Sequence, residues 1–211
     1  MKTRSRESHD NTMYNLHGLE FWEKHNQEHI DQVFDNEELK VGRLLEKNPS
    51  IRKNAIDIGS GGGWMSKKLS SIFENVYSIE PSSKAVSLCK SLYDLPNIKW
   101  IEGYAEDALK NEEIPKENVF INTCSVFMHI DDKDVIPALE YINENFTNSI
   151  FSFQEFWSEE IPFNQPLTNC RTKTWWKSHL SNWDLDFHGP SMAEYGDMYK
   201  NFFKGIHGYK K

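Results

Sequence analysis

The sequence predicts an α/β protein built on a doubly wound, mostly parallel sheet of seven strands, with helices ahead of the first strand. One observation behind this prediction is that short apolar strands alternate with amphipathic helices from Ala55 to Phe153. Such alternation is typical of a parallel sheet covered by helices on both faces. The other observation is a glycine-rich turn directly after the first strand. The 211 residues suffice for one domain with a proper core and are few for two.

The order of the predicted elements follows from the spacing of apolar residues. Residues 1–12 are polar and charged, which predicts disorder there, and a single domain is expected over residues 13–211. Within it, residues 13–50 are predicted to form an N-terminal helical cap, with helices over 13–34 and 36–47. After the first strand, further strands are expected at 75–79, 98–102, 119–122, 149–155, 183–187 and 199–203, and an irregular segment at 156–171.

The composition excludes several classes of function. The net charge of −8 and a pI of about 5.5 argue against nonspecific binding to nucleic acid or to an anionic membrane. The three cysteines are widely spaced and form neither a metal-binding pair nor a disulfide framework, which fits a reducing compartment. No apolar run approaches eighteen residues and the first residues are polar, so we expect a soluble cytoplasmic protein.

The glycine turn, Ala55–Trp64 (AIDIGSGGGW), carries the chemical argument. A dinucleotide-binding turn needs a third glycine where Trp64 stands, so that fingerprint fails. The carboxylate of Asp57 would repel a pyrophosphate, but it suits a cationic ligand or one rich in hydroxyl and amino donors. S-adenosylmethionine is such a ligand, since it carries a sulfonium and an ammonium group and no phosphate.

A second acidic residue, Glu80, stands at the end of the next strand, seventeen positions beyond Gly63. An acid at this place can accept hydrogen bonds from both hydroxyls of an adenosine ribose. Glu80 could also serve the start of the following helix, together with Pro81 and the hydroxyls of Ser82 and Ser83. The two roles are compatible.

The residues from Ala55 to Glu155 resemble the class I S-adenosylmethionine-dependent methyltransferases. AIDIGSGGGW is similar to the first motif of that family, hydrophobic-Asp-x-Gly-x-Gly-x-Gly, and Glu80 occupies its ribose-binding position. The resemblance implies a Rossmann-like methyltransferase fold, S-adenosyl-L-methionine as cofactor and S-adenosyl-L-homocysteine as product. The residues that it places at the donor here are Asp57, Gly59, Ser60, Gly61, Gly63, Trp64, Met65, Glu80 and Pro81.

Two later stretches extend the resemblance. The first, Gly103–Asp107, is similar to the family's Gly-Asp-Ala-Glu segment, which grips the adenine amino group; here Tyr104 replaces the usual Asp. Tyr104, Ala105 and Glu106 are therefore expected at the adenine. Either Glu106 or Asp107 accepts from its amino group, or Tyr104 borders the ring. The alternative is a plain turn with solvated acids.

The second stretch follows the predicted strand 119–122. It is similar to the family segment after the fourth strand, with Asn118 in place of the usual acid. The resemblance implies that Asn122, Thr123 and Cys124 face the methionine part of the donor and that Ser125 lies on the acceptor side. His129 is the candidate general base, because a neutral imidazole can take a proton from a hydroxyl near pH 7. The alternative for His129 is a structural hydrogen bond at the start of the next helix.

The predicted function is methyl transfer to a small-molecule acceptor by in-line displacement, with a hydroxyl of a sugar or another metabolite favoured. The family's Asn-Pro-Pro-Tyr motif for exocyclic amines is absent, so we expect no nucleic-acid partner, and likewise no membrane partner and no metal. Acceptor-binding candidates lie in the N-terminal cap and in the predicted loop and helix over 156–190, namely Tyr14, Trp22, Trp157 and Arg171. The alternatives are a non-catalytic binder of the donor and, on the weaker case, a nicotinamide-dependent oxidoreductase. The oligomeric state stays open.

Overall fold

A seven-stranded sheet forms the centre of the chain in the computed structural model. The structure describes residues 41–42, 44–155, 157–159, 163–165, 168–188 and 205–210. The predicted helical cap falls mostly outside these residues, as do Tyr14 and Trp22. Of the cap, residues 41–42 and 44–47 are described and are helical, as predicted for the end of its second helix.

The strand order confirms the predicted doubly wound, mostly parallel sheet. The strands are β1 (Asn54–Ile58), β2 (Asn75–Glu80), β3 (Ile98–Glu102), β4 (Val119–Cys124), β5 (Ile150–Gln154), β9 (Trp183–His188) and β10 (Gly205–Lys210). Their order is β3-β2-β1-β4-β5-β10-β9. The first five are parallel to their neighbours, whereas β10 runs antiparallel to both β5 and β9. The carboxyl ends of β1, β2 and β4 therefore meet at one edge, where parallel sheets bind ligands.

Helices cover both faces of the sheet. They are α1 (Trp64–Ser70), α2 (Ser83–Leu92), α3 (Ala105–Ala108), α4 (Asp132–Asn145) and α5 (Lys173–His179), with a 3-10 turn at Phe127–His129. On one face, Met65 and Leu69 of α1 pack with Leu45, Phe73 and Phe120. The opposite face holds a larger cluster built from α4, α5 and the aromatic side chains of β5. Two apolar layers thus enclose the sheet, as the alternating pattern predicts.

The segment predicted to be irregular, 156–171, instead contains a second small sheet, so that prediction was wrong. Its strands are β6 (Trp157–Ser158), β7 (Phe163–Gln165) and β8 (Thr168–Thr172), in the order β6-β8-β7. The β7 and β8 strands pair antiparallel, and β6 pairs parallel to β8. Pairing satisfies backbone N–H and C=O groups that a long connection would otherwise leave without partners.

A strand that the sequence analysis did not predict completes the sheet. Residues 199–203 lie outside the described part of the chain, and the strand that completes the sheet is β10 at Gly205–Lys210. Smaller differences concern element ends. The β4 strand runs two residues beyond Asn122 to Cys124. The α2 helix begins at Ser83 with Ser82 as its N-cap, so Pro81 precedes the cap.

Candidate functional site

The glycine turn between β1 and α1 is compact because three of its glycines adopt left-handed backbone conformations. Gly59, Gly61 and Gly63 have φ values of 69°, 52° and 78°, a region that costs other residues free energy. A Cβ on Gly59 would lie 2.5 Å from Val126 Cγ2, and one on Gly63 would lie 2.6 Å from Trp100 Cη2. A Cβ on Gly61 would meet nothing within 4 Å. Two glycines therefore permit close packing, and Gly61 borders open space.

Glu80 at the end of β2 is tied to this turn. Its side chain is buried, and Oε2 accepts a hydrogen bond from the Gly61 N–H at 3.0 Å. Oε1 accepts from the N–H of Ser82, the N-cap of α2, at 2.9 Å. The carboxylate thus joins the turn to the start of α2 and lies beside the open face of Gly61, where a ribose is expected.

Asp57 is a buried carboxylate at the end of β1, 2% exposed. Its Oδ2 accepts from the Ser66 hydroxyl at 2.6 Å, and its Oδ1 accepts from Asn122 Nδ2 at 2.9 Å. Burial raises the pKa of Asp57 to about 6, against the two hydrogen bonds, which lower it. A buried anion of this kind is stabilised by a cation placed close to it.

Several buried polar atoms in the glycine turn and towards the carboxyl ends of β4 and β5 lack a hydrogen-bond partner among the described residues. They are Ser60 Oγ in the glycine turn, Asn122 Oδ1 on β4, and Ser152 Oγ and Gln154 Nε2 on β5. Asn122 pairs in register with Asp57 on one side and with Ser152 on the other, so these three side chains lie on the same face of the sheet. Buried polar atoms without partners are rare in folded proteins and often face a ligand or water.

This arrangement fits S-adenosylmethionine better than a dinucleotide. The turn offers open space at Gly61, an unpartnered hydroxyl at Ser60 and a carboxylate at Glu80 for the hydroxyls of a ribose. Asp57 places a buried negative charge at the edge where a pyrophosphate would lie in a dinucleotide site. The donor set is therefore suited to a cationic nucleoside.

Residues 56–144 match a family model that is described as a methyltransferase domain. This range contains the glycine turn, Glu80, the segment at Tyr104 and the loop that follows β4. The matched domain supports the assignment of this chain as an S-adenosylmethionine-dependent methyltransferase, consistent with the class I type. A search of curated proteins finds no match to the sequence of this methyltransferase.

Solved structures share the fold of this methyltransferase. TehB from Haemophilus influenzae is 16% identical with a TM-score of 0.62, over 83% of this chain and 62% of TehB. CalS10, an amino pentose methyltransferase from Micromonospora echinaspora solved with S-adenosylmethionine bound, is 9% identical with a TM-score of 0.64, over 83% of this chain and 91% of CalS10. DhpI, in a complex that also contains S-adenosylmethionine, is 11% identical with a TM-score of 0.65 over the full length of both chains. At these identities the likeness shows the shared fold.

The loop after β4 brings further predicted residues of the methyltransferase to the same edge. Thr123 is buried, and its hydroxyl donates to Glu155 Oε1 at 2.8 Å. The Sγ of Cys124 donates to Gln154 Oε1 at 3.3 Å. Ser125 has a φ of 57°, and its N–H donates to the Gln154 carbonyl. The strand end therefore turns sharply as it leaves the sheet.

His129 closes the 3-10 turn at Phe127–His129, and its N–H donates to the Val126 carbonyl at 3.0 Å. The α4 helix begins at Asp132, so His129 lies in the loop between β4 and α4. Its side chain is half-buried. This position is compatible with a general base and places His129 one turn beyond the end of β4.

On the predicted adenine side, the turn after β3 lies next to Glu80. The Gly103 N–H donates to the Glu80 carbonyl at 3.1 Å, and the Tyr104 carbonyl accepts from Asp107 and Ala108 at the start of α3. Ala105 is buried, whereas Tyr104 and Glu106 are half-buried. Asp107 is exposed, with Lys110 Nζ 3.9 Å from its Oδ1. Because Glu106 is less exposed than Asp107, it is the better candidate to accept a hydrogen bond from the adenine amino group.

Three predicted site residues of the methyltransferase have structural surroundings. Met65 is buried in the apolar layer between α1 and the sheet. Trp157 is buried against Phe187, in edge-to-face contact at 5.5 Å between ring centroids. Arg171 is buried and uses all three of its nitrogens for contacts within the protein. In the described residues these side chains have packing and hydrogen-bonding roles, and their contacts with a ligand stay predictions.

The sequence analysis did not single out Ser152, Gln154 and Glu155. These buried polar residues pair with or contact Asn122, Cys124 and Thr123 of β4, respectively. Their signal was present, because polar side chains interrupt the apolar strand at 149–155. Within the described residues, no group of three His, Cys, Asp or Glu side chains could hold a metal ion. None of the described helices is long and apolar enough to cross a bilayer.

Proposed function

We propose that this methyltransferase methylates a hydroxyl oxygen of a small polar molecule such as a sugar. The observation that carries the proposal is the row of buried polar side chains at the carboxyl ends of β1, β4 and β5. In this row, Asn122 Oδ1 is a hydrogen-bond acceptor, Gln154 Nε2 is a donor and Ser152 Oγ can be either, and each lacks a partner among the described residues. Such a surface favours an acceptor molecule with several hydroxyls over an apolar one.

The donor would be held by residues from four connections of the sheet. Glu80 would accept from the ribose hydroxyls, and Gly61 would leave room for the nucleoside beside them. Tyr104, Ala105 and Glu106 would border the adenine. Asp57, which accepts a hydrogen bond from Asn122, would offset the positive charge of the methionine part of the donor. Thr123 and Cys124 would lie near the same part. When bound, S-adenosylmethionine supplies an electrophilic methyl group on a sulfonium.

The chain's own contribution to the reaction is alignment and proton transfer. Holding a hydroxyl in line with the methyl group can lower the barrier by about 7–11 kcal/mol in favourable cases, and the row of Asn122, Ser152 and Gln154 would fix that orientation. His129 would accept the proton of the hydroxyl, which contributes about two to four powers of ten in rate. No covalent intermediate with the protein is needed.

Two further observations support a small acceptor. The net charge of −8 disfavours a polyanionic acceptor such as nucleic acid. CalS10, which shares the fold, is an amino pentose methyltransferase. An amine in place of the hydroxyl would need no base, because a neutral amine attacks without losing a proton first. The role of His129 therefore distinguishes the two acceptor chemistries.

The test is a panel of small acceptors assayed with S-adenosylmethionine by release of S-adenosylhomocysteine. The panel is selected by mass spectrometry of small molecules that stay bound to the protein during purification. It includes matched hydroxyl and amino sugars. We expect turnover with a hydroxylated compound. Ser152→Ala and Gln154→Ala should raise KM for that acceptor without changing S-adenosylhomocysteine affinity, whereas Ser71→Ala, an exposed serine, should change neither. His129→Ala should lower kcat while donor affinity persists.

The alternatives give different results in the same experiments. Tighter binding of NAD than of S-adenosylhomocysteine would indicate an oxidoreductase and contradict the proposal. Donor binding without methyl transfer to any member of the panel would favour a regulatory binder. Turnover with amino sugars alone, unchanged in His129→Ala, would contradict the hydroxyl acceptor and leave the donor site intact.

A further inference from the structure

Two buried side chains of opposite charge enclose the loop that leaves β4. We call residues 125–130 the β4 turn; it contains the 3-10 turn and ends just before α4. Glu155 follows β5 and is 1% exposed, and Arg171 lies on β8 and is 5% exposed. Neither has a place in the donor or acceptor contacts proposed above.

Glu155 holds the β4 turn by its N–H groups. Its Oε1 accepts from Thr123 Oγ1 at 2.8 Å, from the Val126 N–H at 2.9 Å and from the Phe127 N–H at 3.0 Å. Its Oε2 accepts from the Met128 N–H at 2.9 Å. Three consecutive backbone donors thus converge on one carboxylate, an arrangement that stabilises an anion through charge-assisted hydrogen bonds.

Arg171 holds the same turn by its carbonyl groups. Nη1 donates to the Phe127 carbonyl and Nη2 to the Ile130 carbonyl, both at 2.6 Å. Nε donates to Asp132 Oδ1 at 2.8 Å, in the first turn of α4. The guanidinium also lies 4.6 Å from the ring centroid of Trp175, which limits its movement.

Both backbone polar groups of Phe127 are bonded to these side chains: its N–H donates to Glu155, and its carbonyl accepts from Arg171. The turn would not keep this shape by local preference, because Ser125 has a left-handed φ of 57°. Loss of either charge would leave buried backbone groups without partners, which is costly. The conformation of the β4 turn is therefore imposed by β5 and β8.

We infer that Glu155 and Arg171 are positioning residues that together fix the β4 turn in its working conformation. They would present Thr123 and Cys124 to the donor and His129 to the acceptor without touching either ligand. The inference rests on the proposed function, because it assigns the purpose of the turn to ligand binding. It also gives the small sheet β6-β8-β7 a role, which is to carry Arg171 to the loop.

The test compares Glu155→Gln and Arg171→Lys with Glu159→Gln as the control. Glu159 lies four residues beyond Glu155 and pairs with Lys173, away from the turn. An amide at position 155 would point an N–H₂ group at one of the backbone donors, and a lysine at 171 keeps the charge but cannot reach both carbonyls. The readouts are S-adenosylhomocysteine affinity by calorimetry and hydrogen exchange at the amides of Val126, Phe127 and Met128.

We expect both variants to bind S-adenosylhomocysteine at least tenfold more weakly than wild type, with exchange at those amides at least tenfold faster. The control should stay within twofold. Glu155 and Arg171 act on the same turn, so their effects should not add. The double variant should therefore bind S-adenosylhomocysteine no more weakly than the single variant with the lower affinity. Measurements are made well below the unfolding transition, where a purely structural role would leave affinity unchanged.

Wild-type affinity in folded variants would overturn the inference, whatever their loss of stability. If Glu155→Gln does not fold, Arg171→Lys alone decides, since it preserves the charge. A wild-type protein that fails to bind S-adenosylhomocysteine would overturn the proposed function itself. Wild-type binding that both variants retain would overturn the positioning role alone.

Discussion

At the scale of single residues, Asp57 combines a charge with burial, and this makes the stability of the protein depend on pH. Burial raises the pKa of Asp57 from 3.8 to about 6. Between these values the folded protein binds more protons than the unfolded chain, so the contribution of Asp57 to stability is full below pH 3.8 and is lost as pH rises through 6. A shift of this size corresponds to about 3 kcal/mol.

Asp57→Asn should remove this dependence, because an amide does not titrate. The free energy of unfolding of the variant, relative to wild type, should increase by about 2.4 kcal/mol between pH 4 and pH 7. Urea unfolding at intervals of one pH unit measures it. Parallel curves for the two proteins would show that the pKa of Asp57 is not raised in the folded state.

The two acids of the donor site should each contribute to binding. Asp57→Ala and Glu80→Ala remove charge-assisted hydrogen bonds, and we expect each to weaken S-adenosylhomocysteine binding by about 1–3 kcal/mol. Glu74→Ala, which removes an exposed acid just before β2, is the matched control and should have no effect. Calorimetry with unchanged affinity in both site variants would contradict the assignment of the donor site.

Gly61 and Gly63 are neighbours with different surroundings, so alanine should affect them differently. Gly61→Ala meets no atom within 4 Å and should cost about 1–2 kcal/mol of stability through its positive φ. Its methyl group would enter the space assigned to the donor and should weaken S-adenosylhomocysteine binding about tenfold or more, or by about 1.4 kcal/mol.

Gly63→Ala would place a methyl group 2.6 Å from Trp100 and 3.0 Å from Cys89 Sγ. Added strain in a packed interior should raise its stability cost to about 3 kcal/mol or more. Urea unfolding and calorimetry on both variants make the comparison. Equal donor affinity for Gly61→Ala and wild type would show that the donor does not lie over Gly61.

At the scale of elements, β10 fits beside β5 because residue 208 is a glycine. Gly208 pairs with Phe151 of β5, and a Cβ there would lie 2.0 Å from the Phe151 ring. Gly205 in the same strand has no atom closer than 3.6 Å to that position. Gly208→Ala should therefore destabilise the protein by about 2–3 kcal/mol, as expected for overpacking, whereas Gly205→Ala should change stability by less than about 1 kcal/mol.

Thermal or urea unfolding of the two glycine variants tests this pairing. Equal stability would mean that the Phe151 ring moves aside without loss. The chain thus offers its own control in the same strand, with both positions buried.

The same glycine explains why this strand escaped prediction. Glycine is uncommon in strands, and the sequence GIHGYK carries two, so its pattern does not predict a strand. The partner's ring fills the space of the missing side chain, and no local pattern shows this. The elements from β1 to β5 were predictable because each alternates with a helix of regular period.

The candidate site likewise has a part that the sequence predicts and a part that depends on contacts between distant residues. The glycine turn and Glu80 could be predicted because they lie within one continuous strand-turn-helix-strand segment. The contacts of Glu155 and Arg171 with the β4 turn join residues about thirty to forty-five positions apart, and the alignment of Ser152 with Asn122 depends on strand register. Sequence periodicity fixes which face a residue occupies but not which distant residue lies opposite.

At the scale of the whole molecule, ligand binding should stabilise the fold, because the site draws on β1, β2, β3 and β4 together. At a concentration one hundred times Kd, S-adenosylhomocysteine should contribute about 2.7 kcal/mol. For a chain of this length that corresponds to a rise in Tm of about 5–10 °C. NAD at the same concentration is the control and should leave Tm unchanged, and a larger shift with NAD would contradict the donor assignment.

The position of β10 also bears on how the protein is made. Among the described strands, β9 lies at the edge of the seven-stranded sheet, and its only neighbour in that sheet is β10. The β10 strand follows β9 in the sequence, so it is synthesised later. During synthesis, β9 therefore has no strand to pair with in the large sheet until residues 205–210 are made. We expect this part of the sheet to form later than the local pairing of β1 with β2.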